Sequence, residues 1–68
     1  MRYAVVIEKA NGNLSAYVPD LPGCVATGQT HDEVNANIRE AIRFHLDGLR
    51  EDGLPIPEPE ALCEYVDS

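Results

Sequence analysis

The twenty-one residues from Pro22 to Ile42, PGCVATGQTHDEVNANIREAI, run a tight turn, a short strand, a helix cap and an amphipathic helix together with no spare residues. Pro22 fixes φ at the value a type II turn needs at its first central position, and Gly23 accepts the positive φ of the second. Leu21 and Cys24 then flank the turn. Thr30 and Glu33 have the spacing of a capping box. In that motif the threonine hydroxyl accepts from the Glu33 amide, and the Glu33 carboxylate reaches back to the Thr30 amide. The pattern starts a helix at His31.

Within that helix Val34, Ile38, Ala41, Ile42, His45, Leu46 and Leu49 follow the spacing of one apolar face laid on a sheet. Arg39, Glu40, Arg43, Asp47 and Arg50 occupy the other side, where neighbouring opposite charges contribute a few tenths of a kcal/mol each. They read as a solvated charged face rather than as catalytic groups. Phe44 lies off the apolar stripe, so it either covers a loop or meets another subunit. Gly53 ends the helix as a C′ residue.

Upstream, Tyr3 to Glu8 alternates as a strand, with Tyr3, Val5 and Ile7 on one face. Asn11-Gly12 reads as a type I′ hairpin turn, followed by a strand from Leu14 to Val18. A two-residue loop sets Ile7 opposite Ala16 and Val5 opposite Val18, which brings both apolar sets to the same side. Pro19 closes this strand or leaves it on an edge. A third strand runs from Cys24 to Thr27.

After the helix, Leu54 to Glu60 carries proline at every second position and should be an extended, stiff connector. Ala61 to Val66 reads as a last strand. The expected architecture is therefore α+β: a three-stranded antiparallel meander, one long helix packed on the sheet and a final strand, βββαβ, in a single domain over residues 1–68.

If Val5, Ile7, Ala16 and Val18 point to the helix, Val6 and Tyr17 face away from it. An antiparallel sheet with one face in water usually alternates to polar residues there, and this one does not do so cleanly. The outer face or the edge at Pro19 is thus expected to contact protein. The candidate contact residues are Tyr17 and the loop residues Asp20, Leu21, Pro22 and Gly23, since loops held by a rigid scaffold commonly carry recognition. For Asp20 a structural role in the turn competes with that reading.

Composition narrows the partner. A chain of 68 residues buries only about 60% of its unfolded surface, a core so small that self-association into a homo-oligomer is expected. Five basic against twelve acidic side chains leave a net charge of −7, the wrong sign for gripping phosphates and the right one for a basic protein. No direct contact with nucleic acid is expected. No apolar run approaches the roughly 20 residues of a membrane span, and nothing resembles a signal peptide, so the expected location is cytoplasmic, away from membranes. Cys24, Cys63, His31 and His45 lack the paired spacing of a zinc site, so no metal or other cofactor is expected. The cysteines read as small buried hydrophobes on strands. His31 should be exposed in the first helical turn, and His45 packed or partner-contacting.

Strand, hairpin, L-P-G-C, a short strand, G-x-T, then E-V-N-A-N-I-R-E-A-I, a proline-rich link and a final strand together resemble the HicB-like antitoxin family over essentially the whole chain. Pro22, Gly23, Cys24, Gly28, Thr30, Glu33, Asn37, Glu40 and Ala41 fall in that family's frame. Val34 stands where members typically have alanine, a conservative departure. The resemblance implies a reduced ribonuclease H-like fold. It also implies a protein-binding role as a type II antitoxin, neutralising a HicA-type toxin, a small basic mRNA-cleaving protein. Many members continue into a DNA-binding segment, whereas this sequence stops at Ser68. The resemblance then implies a toxin-neutralising domain without its own repressor part, or a solitary oligomeric regulatory domain.

A ribonuclease H-like fold also raises an enzyme reading, which requires several carboxylates gathered from neighbouring elements around metal ions. The strands offer only Glu8 at the end of the first, with Asp20 in the loop beyond the second. No catalytic residue is assigned, and the expected function is binding rather than catalysis.

Overall fold

In the computed structural model, which describes residues 1–66, strand β1 (Val6–Ala10) pairs antiparallel with β2 (Asn13–Tyr17) across Asn11-Gly12, with Ile7 opposite Ala16. The expected pairing of Ile7 with Ala16 is therefore present, while Val5 and Val18 lie just outside the paired strands. The turn type differs from type I′: only Gly12 has positive φ, at 76°, while Asn11 keeps a negative one. Glycine enters that region without steric cost, so it absorbs the reversal alone. Strand β3 (Val25–Gly28) lies antiparallel on the other side of β2, with Tyr17 opposite Val25 and Leu14 opposite Gly28, giving the meander order β1-β2-β3.

Helix α1 (His31–Glu51) packs on β2 and β3. Its start follows the Thr30-Glu33 signal with one change. Thr30 Oγ1 accepts from the Glu33 amide at 3.1 Å, but the Glu33 carboxylate accepts from the amide of Gln29, at 2.9 Å, rather than from that of Thr30. At the other end Gly53 takes φ 68°, its amide donates to Arg50 O, and the Leu54 amide donates to Leu49 O. These two bonds form a Schellman motif with Gly53 at C′. Two further contacts fix α1 against β3. Asn37 Nδ2 donates to the Thr27 carbonyl at 2.8 Å, and Gly28 lies against the backbone of Val34.

The buried core consists of Ala16, Val18, Leu21, Cys24, Val34 and Ile38, with Tyr3, Val5, Ile7, Leu14, Ala26, Ala41, Ile42 and Leu46 packed around it. Leu21, Val34 and Ile38 are the largest fully enclosed side chains. Burying each stabilises the fold by about 1.5 to 3 kcal/mol, an upper figure because unfolded chains are partly collapsed.

The proline-rich segment returns across the fold as expected, held where Tyr3 Oη donates to the Pro57 carbonyl. The expected final strand is not formed: Ala61 to Val66 makes no ladder with β1 or any other strand. Leu62, Tyr65 and Val66 are all more than four-fifths exposed. So little burial gives this stretch no packing gain to offset the entropy of ordering a strand. Cys63 is correspondingly exposed and off any strand, in contrast to the buried position expected for it. Asp67 and Ser68, the last residues of the expected domain, lie outside the described residues.

Candidate protein-contact surface

The strand registers bring Val6, Tyr17 and Val25 into one cross-strand row, because Tyr17 stands opposite both Val6 and Val25. Residues alternate between faces along a strand, so this row lies on the face away from α1, while the neighbouring row Ile7, Ala16 and Ala26 packs into the core. Tyr17 is 41% and Val25 65% exposed, so the outer face carries an apolar band across all three strands. A second outer row, Glu8, Ser15 and Thr27, is polar. The arrangement is an apolar band beside hydrogen-bonding groups, suited to docking a protein surface.

Just beyond the end of β2 the chain makes two successive turns. The Leu21 amide donates to Val18 O at 3.0 Å, and the Cys24 amide donates to Leu21 O at 3.0 Å. Gly23 has φ 84°, the positive value that a type II turn over Leu21 to Cys24 demands. The Val18 amide, donating to Cys24 O at 3.2 Å, closes the base of the loop.

The structure separates the loop candidates. Pro22 and Gly23 are exposed at the tip, whereas Leu21 is fully buried beneath it. Leu21 therefore anchors the loop and its side chain presents nothing to a partner, a correction to its place among the contact residues. Asp20 is half-buried, and its Oδ2 accepts from the amides of Glu60 and Ala61, each at 3.1 Å, pinning the C-terminal segment to the loop. Sequence reasoning missed Val25. The signal was available: if Cys24 points inward, strand alternation turns Val25 outward, level with Tyr17.

Burial pushes the Cys24 thiol above its ordinary value of 9.0, which favours the neutral, unreactive form. His31 is exposed and His45 half-buried beside Cys24, Ala41 and Leu49 in the groove between α1 and the loop. Among the described residues no three His, Cys, Asp or Glu side chains are gathered in a metal-binding arrangement, and no helix is long and apolar enough to cross a membrane.

The family model of the HicB-like antitoxin of bacterial toxin-antitoxin systems matches residues 3–68. The chain belongs to the HicB-like antitoxin family. A UPF0150 protein of Thermoplasma acidophilum is 40% identical over 62 residues, covering 90% of each chain. An uncharacterised 14.9 kDa protein of Haemophilus phage HP1 is 39% identical over 66 residues, 97% of this HicB-like chain but 50% of the phage protein. This chain thus spans half the length of that relative. Among solved structures, a chain of the HicA3 and HicB3 toxin-antitoxin complex superposes with a TM-score of 0.75 at 32% identity, over 87% of this chain and 70% of that one.

Proposed function

We propose that this HicB-like chain neutralises a small, basic, mRNA-cleaving toxin of HicA type by binding it directly, and that the docking surface is the outer sheet face centred on Tyr17. The observation that carries the reading is the row Val6, Tyr17 and Val25, an apolar band with Tyr17 and Val25 exposed and Val6 half-buried, on a sheet face that α1 leaves uncovered. Family membership and the similarity to a chain of a toxin-antitoxin complex support the class of partner. The net charge of −7 supports its sign, because opposite potentials steer partners together and raise association rates. Asp20, Pro22 and Gly23 form the rim of this surface, and the interaction takes place in the cytoplasm.

Co-expression tests the proposal. A short basic reading frame adjacent to this one is expressed alone and together with this chain. The expected result is growth arrest by the neighbour alone, relief by co-expression, and co-purification of the two proteins. Failure both to relieve arrest and to co-purify would overturn the assignment.

A further inference from the structure

The outward face of α1 carries an apolar side chain that the monomer does not use. Phe44 is 81% exposed, with a hollow on either side of it along the helix. One is lined by Asn37, Glu40, Ala41, Arg43, Phe44 and Asp47, the other by Phe44, Asp47, Gly48, Arg50 and Glu51. Gly48 creates the second hollow, because a Cβ placed on it would meet nothing within 4 Å. Glycine in a helix interior costs about 1 kcal/mol relative to alanine, and among the described residues no close contact requires it here.

The charges beside Phe44 indicate what fills the hollow. Glu40, Arg43, Asp47 and Arg50 fall at i, i+3, i+7 and i+10, one exposed stripe of the helix with signs alternating minus, plus, minus, plus. Within the chain the row makes an exposed ion pair, Arg50 to Asp47 at 3.1 Å. Reversing the row end for end about the level of His45 inverts every sign. A second copy of the same helix, laid antiparallel by a two-fold axis at that level, therefore meets Glu40 with Arg50, Arg43 with Asp47, and each of these again in reverse. The same axis brings the partner's Phe44 to a height just past Phe44, over the hollow at Gly48. A two-fold interface requires such self-complementarity of a single patch.

From this pattern we infer that the chain forms an antiparallel two-fold dimer through α1, in which each Phe44 seats in the hollow beside the other copy's Gly48. Burial of Phe44 supplies the affinity. The exposed charge row fixes orientation and register, as flanking charges do in paired helices. The dimer leaves the outer sheet face free, since α1 packs on the opposite face, so each copy keeps its Tyr17 surface for a toxin. The inference does not rest on toxin binding, and its test contains no toxin.

Sedimentation of the purified full chain across micromolar concentrations provides the test, with circular dichroism to confirm helix content. The wild type should sediment as a dimer. Phe44→Ala and Gly48→Leu, both toward better helix formers, should sediment as folded monomers. Arg43→Asp should weaken association about tenfold by placing like charges together, and Arg43→Asp combined with Asp47→Arg should restore it. A wild-type monomer, a dimer indifferent to both Phe44→Ala and Gly48→Leu, or a charge swap that fails to recover association would each overturn the inference.

Discussion

Gly28 and Val34 touch through their backbones: a Cβ placed on Gly28 would lie 2.6 Å from the Val34 nitrogen and 2.8 Å from its Cα. The end of β3 and the first turn of α1 can approach this closely only because residue 28 has no side chain. Both atoms met are backbone, so neither can swing aside. Gly28→Ala should therefore destabilise the fold by about 1 to 3 kcal/mol, as overpacking of a tight core site does. Thermal unfolding measures it, at about 4 to 8 °C of midpoint per kcal/mol for a domain of this size. An unchanged midpoint would mean that β3 and α1 separate freely.

The helix cap gives a second prediction. Thr30 accepts from the Glu33 amide and Glu33 accepts from the Gln29 amide, so each side chain satisfies a backbone donor at the start of α1. Thr30→Ala should lose about 0.5 to 2 kcal/mol. Glu33→Gln keeps an acceptor and should lose less than Glu33→Ala in the same denaturation series.

These local devices are also the parts most legible in the sequence. Pro22-Gly23, Asn11-Gly12, Thr30-Glu33 and Gly53 each restrict the backbone by themselves, and the turn positions, the hairpin register and both ends of α1 stand where those residues place them. What depended on distant contacts was less readable. Ala61 to Val66 has a strand-like composition, but whether it pairs depends on a neighbour outside the segment, and its side chains find none to bury against. Leu21 looked like a loop residue available for contact, yet two tight turns direct it into the core. Asp20 was legible as a turn residue, while its bonds to Glu60 and Ala61 cross some forty residues and leave no local signal.

Those bonds make a third prediction. Asp20 Oδ2 is the common acceptor for two consecutive amides, so Asp20→Ala frees the start of the C-terminal segment without touching the core. Hydrogen exchange at Glu60 and Ala61 should accelerate in Asp20→Ala, while Val34 and Ile38 keep wild-type protection. Equal protection at Glu60 and Ala61 in both proteins would show that the proline-rich segment alone holds the return.

The two cysteines should differ sharply in solution. Cys63 is exposed and Cys24 buried, with the Cys24 thiol pushed above 9.0 by burial. A thiol reagent at neutral pH should modify Cys63 in the native protein and reach Cys24 only on unfolding. The linkage has a definite sign: the neutral Cys24 thiol contributes stability in full below pH 9.0, and that contribution is lost as pH rises beyond it, because the unfolded chain ionises first. Cys24→Ala should flatten this alkaline decline in denaturation midpoints measured on either side of pH 9.0.

Tyr17 is the middle residue of the sheet face opposite α1, paired to Val6 on one side and Val25 on the other. The deciding measurement is the calorimetric affinity of the purified chain and of Tyr17→Asp for the proposed HicA-type partner, with circular dichroism to show that both are folded. Placing a carboxylate at the centre of an apolar contact should weaken binding by at least about 2 kcal/mol, some thirtyfold. Wild-type affinity in a folded Tyr17→Asp variant would contradict the account and move the toxin to another surface.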